Sequence, residues 1–419
     1  MPWTVPYTQL DPDQLDFVDS TDNTKSVFIS GFAGTGKSVL LVNKLQVIYD
    51  LNDNAKCCIV SFTHSLLEAF RLGLEECGLE DRIADKSGSN VCKALAGQID
   101  LVTKYELKKN QNGNNAIYYD FVFVDEVQDV CVSDLKIINS SRIKSTIVAG
   151  DHNQSIYSED PQKNIHTGQK EPTIGPGDIK NVLVSEERRL TYGHRLTPSI
   201  LACVFNLIPE IKKKLLNEFE VAHNRDTDVM ICHADDEDAE AEYVYTQALD
   251  NAEDVELTAI LLPMHGWIRT FCKYILKKEN VPWNDDVENM FKKRDYSSIN
   301  AYFQKHNIKI EYVGSNHGSF IHARKHNNIL LMTYHSSKGM DFQNVFLPFL
   351  SASRYSNSLE YFIPRPLMVA MTRSNYNLTI SFSGEPLESV GKFKDLDATF
   401  YNSIEDSDDN SDDAFILPF

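Results

Sequence analysis

The chain has 419 residues, enough for two or three domains with proper cores, and its 42% hydrophobic content is ordinary for a globular protein. A formal net charge of −19 and a pI near 5.0 argue against a protein that coats nucleic acid through a broad basic surface, while leaving room for a local basic groove. No apolar run approaches bilayer length, no basic region precedes an apolar stretch at the start, and the eight cysteines show no C-x-x-C pair or Cys/His rhythm, so the expectation is a cytoplasmic protein with reduced thiols, no disulfide framework and no zinc site.

Residues 26–30 read as a short buried strand that enters a glycine-rich run, and residues 39–45 as the helix that leaves it. Further strands are expected at 57–61, 121–124 and 146–149, alternating with helical patterns as in a parallel α/β sheet. A polar stretch rich in Pro, Gly, Lys and Gln, from 158 to about 180, reads as a linker. A second alternating stretch follows, with strands at 229–232, 257–262, 329–332 and 344–347. The expected organisation is two tandem α/β domains, 1–180 and 181–400, the second carrying an irregular polar and helical insertion around 285–326. Residues 401–419 read as an acidic disordered tail, with Glu405, Asp406, Asp408, Asp409, Asp412 and Asp413 falling within nine residues.

The glycine-rich run, Gly31-Phe32-Ala33-Gly34-Thr35-Gly36-Lys37-Ser38, completes the pattern G-x-x-x-x-G-K-[ST] in the strand–loop–helix context that this pattern requires. Backbone N–H groups from Gly31 through Gly34, Thr35 and Gly36, together with the positive end of the helix, suit nucleotide phosphates. Lys37 would then sit at the β/γ position and the Ser38 hydroxyl on Mg²⁺. ATP and Mg²⁺ are the expected ligands. Val124-Asp125-Glu126-Val127-Gln128-Asp129 places two carboxylates at the end of a buried strand, where open parallel sheets hold their ligands. Asp125 can hold Mg²⁺, and Glu126 can orient and deprotonate the water that ATP hydrolysis consumes.

Asp-Glu-x-Gln-Asp at 125–129 resembles motif II of the UvrD/Rep/PcrA group of superfamily 1 DNA helicases, and further motifs follow in that family's order up to about residue 385. The resemblance implies two RecA-like P-loop NTPase domains with parallel sheets and an ATP cleft between them. It gives Gln14 the adenine edge, and Thr63 and His64, in Ser61-Phe62-Thr63-His64, the DNA backbone. Gln154, in Gly150-Asp151-His152-Asn153-Gln154, would sense the γ-phosphate. Arg195, in Tyr192-Gly193-His194-Arg195, and Arg373, in Val369-Ala370-Met371-Thr372-Arg373, would reach across the cleft from the second domain to phosphate oxygens. His335, Gly339 and Asp341 lie in the stretch from Thr333 to Phe342 that resembles motif V, His335 near DNA and Gly339 and Asp341 near the nucleotide.

Departures from the pattern are specific. His194 stands where the family carries a Tyr that stacks on adenine, Asp341 where it carries Glu, and Ser158-Glu159-Asp160 where an aromatic-Arg pair would stack a base, a part that Tyr157 could take over. Short spacings between motifs imply that the accessory 1B and 2B domains are reduced or absent. The implied function is an ATPase that translocates on single-stranded or tailed DNA, 3′ to 5′ in the family's sense. Two alternatives stand beside it: an ATP-dependent nucleic-acid sensor that switches a partner effector, and an RNA-directed motor. The terminus Asp412-Asp413-Ala414-Phe415-Ile416-Leu417-Pro418-Phe419 is similar to the tail of bacterial single-stranded DNA-binding protein. It would dock into a protein partner or pack on the chain's own second domain.

Overall fold

The structure, a computed structural model, describes residues 3–20, 25–84, 99–104, 106–107, 117–139, 143–155, 162–163, 170–215, 218–222, 226–355 and 364–404. Tyr157, the 158–160 stretch and the acidic tail from 405 through Asp412 to Phe419 lie outside the described residues. Among those described, no helix is long and apolar enough to cross a membrane.

Two parallel sheets form the framework. The first contains β1 (Val27–Gly31), β2 (Cys57–Ser61), β3 (Ile99–Thr103), β4 (Tyr119–Val124) and β5 (Ile143–Gly150). After a small antiparallel pair, β6 (Gln162–Lys163) and β7 (Lys170–Glu171), the chain returns to this sheet as β8 (Glu186–Leu190), giving the order β3-β2-β4-β5-β1-β8. β2 is buried along its whole length, as expected for an apolar strand covered on both faces. Helices α1 (Pro12–Val18), α2 (Lys37–Leu51) and α3 (His64–Glu76) belong to this domain. In α3 the Thr63 side chain caps the first turn, and Leu66, Leu67, Phe70 and Leu74 bury one stripe at helical spacing.

The second sheet holds seven strands, after a two-residue pair formed by β9 (Tyr192–Gly193) and β10 (Glu220–Val221). They are β11 (Val229–Ala234), β12 (Thr258–Leu262), β13 (Ile310–Tyr312), β14 (Ile329–Thr333), β15 (Phe342–Leu347), β16 (Ser374–Ser383) and β17 (Thr399–Ser403), in the order β13-β14-β12-β15-β16-β11-β17. β12 and β14 are wholly buried. The architecture is therefore two α/β domains with parallel sheets of the P-loop NTPase type.

Three boundaries differ from expectation. β8 lies beyond residue 180 yet pairs with β1 from Val27↔Glu186 to Gly31↔Leu190, so the first sheet runs to Leu190. Beyond Leu190 a helix, Pro198–Leu207, is capped by Thr197, and the chain then returns to lay Glu220 and Val221 beside Tyr192 and Gly193, with Phe219 against Phe32, before the second sheet begins. The 285–326 stretch is no mere insertion: after helices Asp285–Lys293 and Tyr296–Lys305 it supplies β13, which closes one edge of the second sheet against β14. Residues 401–403 are strand rather than tail, because β17 pairs with β11 through Ile231↔Tyr401 and its neighbours.

Candidate active site

Parallel strands deliver their C-terminal ends to a common face, and the glycine loop, Asp125 and Asp151 follow β1, β4 and β5 on that face. The loop turns through Gly34 and Gly36 at φ +77° and +79°, conformations that a side chain disfavours. Thr35 is fully buried, its hydroxyl donating to Phe32 O at 3.0 Å. Lys37 Nζ folds back onto the loop, donating to the carbonyls of Gly31 and Phe32, both at 2.9 Å. Burial holds its ammonium below the usual lysine range, partly offset by the carboxylates of Asp151, Glu126 and Asp125.

Ser38 Oγ donates to Asp125 Oδ2 at 2.6 Å, so a hydroxyl and a carboxylate oxygen meet at one point, a donor set that fits Mg²⁺. Burial and the neighbouring Glu126 charge push the Asp125 carboxyl up to about 6. Glu126 itself occupies the left-handed region at φ 54°, with its N–H donating to Asp125 Oδ1 at 2.9 Å. Burial would raise its carboxyl, but Lys338, Arg373 and Lys37 together outweigh that and hold it below the usual glutamate range.

The second domain closes over these groups. Arg373 is buried, with Nη2 donating to Gln154 Oε1 at 2.7 Å, Nη1 to Met340 O at 3.1 Å and Nε to Val369 O at 2.9 Å. Burial and the nearby Arg195 charge lower its guanidinium to about 10. Gln154 is oriented in turn by Asp151, whose Oδ2 accepts from Gln154 Nε2 at 2.9 Å. Gly339 packs so closely that a Cβ there would fall 2.6 Å from Leu66 Cδ2.

Arg195 differs from expectation in its attachment. The resemblance puts it on the second domain, yet its backbone stays with the glycine loop: His194 N donates to Gly34 O at 2.9 Å, and a Cβ on Gly34 would lie 3.1 Å from Arg195 Cβ. The reason is β8, which carries the chain alongside β1 almost to this residue. Only the guanidinium crosses over, with Nη2 donating to Thr372 O at 3.0 Å and Nη1 standing 3.5 Å from Asp341 Oδ1. Its Nε is buried without a hydrogen-bond partner, a spare donor suited to an anion.

These residues line one cleft of about 280 Å³. The first domain contributes Gly34, Gly36, Lys37, Ser38, Glu126 and Gln154; the crossover contributes His194 and Arg195; the second domain contributes Gly339, Asp341 and Arg373. Gln14 is not among the lining residues. Its Oε1 accepts from Asp11 N at 3.1 Å and its Nε2 donates to Thr35 O at 3.1 Å, so its amide caps α1 and braces the loop. His194 Nε2 likewise faces Asp11 Oδ2 at 2.6 Å.

A second groove, of about 430 Å³, lies between the domains and gathers Thr63, His64 and His335 along with Met264, His265 and Ser315. Thr63 Oγ1 already accepts from Leu66 N at 3.2 Å as the cap of α3. Sequence reasoning missed Lys338, which is buried at the seam with Nζ on Asp129 Oδ2 and on Gln154 O at 2.8 Å. The available signal was its place directly before Gly339. Glu68 was missed too: its Oε2 accepts from Phe320 N at 2.7 Å and Ser319 Oγ at 3.2 Å, binding α3 to the start of the helix Phe320–Lys325.

Residues 14–160, which hold the glycine loop and Asp125, match the family described as AAA domain. A stretch of 95 residues is 30% identical to the dual specificity protein phosphatase YVH1 of Plasmodium falciparum, covering 21% of this chain and 16% of that protein. Among solved structures, the arterivirus nonstructural protein 10 helicase in complex with DNA aligns over 88% of this chain and 63% of its own, with a TM-score of 0.39 and 15% identity. The C-terminal domain of a possible DNA helicase from Lactobacillus plantarum WCFS1 aligns over 50% of this chain and 98% of its own, with a TM-score of 0.32 and 12% identity. Neither structural likeness is strong enough to bear on what this chain does.

Proposed function

We propose that the chain hydrolyses ATP in the cleft between its two domains and uses the movement of that seam to translocate along single-stranded DNA, 3′ to 5′ as in the family its motifs resemble. One observation carries the reading: Lys37, Ser38 and Glu126 share a cleft with Arg373 of the second domain and with Arg195, whose buried Nε lacks a partner. Bound Mg²⁺ would neutralise charge on the triphosphate and orient it. Ser38 and Asp125 are the residues to hold that ion. Lys37 would exchange two loop carbonyls for phosphate oxygens, and Arg195 would offer its spare donor. Glu126, kept ionised by three cations, can accept a proton from water. Arg373 touches Gln154 directly, so charge at the cleft and the position of the second domain are linked through one hydrogen bond. The groove that holds Thr63, His64 and His335 is the candidate nucleic-acid path.

Steady-state ATPase measured against single-stranded, tailed and blunt DNA and RNA tests the reading, followed by strand displacement on tailed duplexes. Stimulation by single-stranded or tailed DNA is expected. Absence of ATP hydrolysis with every member of the panel would remove the proposal, and stimulation without displacement would favour a switch over a motor.

A further inference from the structure

We propose that Trp3 forms the wall on which the nucleobase of the bound nucleoside triphosphate packs; the inference rests on the nucleotide reading of the cleft and adds to it a means of holding the base. On the nucleotide reading, Lys37 and Ser38 hold the phosphate end, and the polar edges of the residues expected to meet the base are already paired. Gln14 uses its amide on Asp11 and Thr35, and His194 faces Asp11. The remaining aromatic side chain among the described residues lining the cleft is Trp3, flanked there by Val5 and Val39. An adjoining chamber of about 230 Å³ shares Trp3, Asp341 and Asn375 with the cleft and carries the amides of Asn328 and Gln343. A flat ring with polar edges fits an apolar face beside such amides.

The ring sits in a built seat. Glu76 accepts from Trp3 N at 3.0 and 2.8 Å, from Thr4 N at 2.8 Å and from Thr4 Oγ1 at 2.9 Å. The indole lies against Phe70 with ring centroids 5.3 Å apart. Gly73, in the interior of α3, makes room for it, since a Cβ there would come within 2.3 Å of Trp3 Cε3. A helix-interior glycine weakens a helix relative to alanine, and the indole is what occupies the space it leaves. An aromatic face held in place before binding loses little freedom when a base stacks on it.

Equilibrium binding of Mg·ATP and of magnesium tripolyphosphate, which has no base, to the wild type, Trp3→Ala and Trp3→Phe tests the proposal. Trp3→Ala should weaken ATP about tenfold, Trp3→Phe should restore most of that, and tripolyphosphate affinity should hold in all three. Wild-type tryptophan emission should also change on ATP binding by an amount lost in Trp3→Phe. Equal weakening of both ligands, or unchanged ATP affinity in Trp3→Ala, would overturn the proposal; should Trp3→Ala fail to fold, Trp3→Leu, which lacks the ring, decides by the same comparison. A wild-type chain that binds neither ligand would instead overturn the nucleotide reading itself.

Discussion

Glu126 combines a left-handed backbone, a place at the end of β4 and three cations around its carboxylate, and such strain persists only where neighbours over-determine it. Replacing it with Gln keeps the shape and removes the proton acceptor. The expected outcome for Glu126→Gln is a fall in kcat of about 10²–10⁴-fold with ATP binding retained, read by turnover and by calorimetry. Glu240 shows the opposite electrostatics in the second domain. Burial pushes its carboxyl up to about 7, well above the ordinary glutamate range, even though it accepts from Phe349 N at 2.6 Å and Ser381 Oγ at 2.8 Å. The folded state therefore holds this proton more tightly than the unfolded state does. Its contribution to stability is full below the ordinary carboxylate value and is lost as pH rises through about 7. Melting temperatures of wild type and Glu240→Gln across that window should show the wild type losing ground as pH rises. At this scale the glycine loop and the paired acids were legible because backbone-cradling chemistry leaves a spacing signature. Lys338 and Glu68 were not, since their roles depend on which helix or loop of the other domain lies opposite them.

Among the elements, strands with continuous apolar runs were legible: β1, β2, β4, β5, β11, β12, β14 and β15 all coincide with such runs. β8 was not, for Glu-Glu-Arg-Arg-Leu offers neither an apolar run nor alternation. As an edge strand it is held by its ladder to β1, by an Arg188–Asp16 ion pair and by Ser30 Oγ donating to Glu187 at 2.7 Å. β13, only three residues long, and β17, at the other edge of the second sheet, were hidden for the same physical reason: pairing partners, more than their own sequence, define edge strands. Helix α3 offers a test at this level. Gly73→Ala raises helix propensity by about 1 kcal/mol but drives a methyl group into Trp3, so a net loss of stability is expected. In a Trp3→Ala background, where Thr4 Cγ2 at 3.2 Å is the tight contact left, the same change should cost less, and thermal unfolding of the four proteins in this cycle measures the difference.

For the whole molecule, a net charge of −19 and an interdomain groove with no lysine or arginine among its described lining residues set an expectation for nucleic-acid binding. Few counterions would be released, so the slope of log K against log salt should be about −2 or shallower, well short of a protein that neutralises many phosphates; titrations at several salt concentrations check it. Arg195 carries a consequence for how such a molecule moves. The residue before it, His194, is tied by its main chain to Gly34, while the Arg195 guanidinium grips Thr372 O on the opposite side. Should the halves part, the side chain must extend or release that carbonyl, while Arg373 departs with its own half. The two cations thus resemble a latch, the bolt staying with one leaf of the door and the keeper leaving with the other.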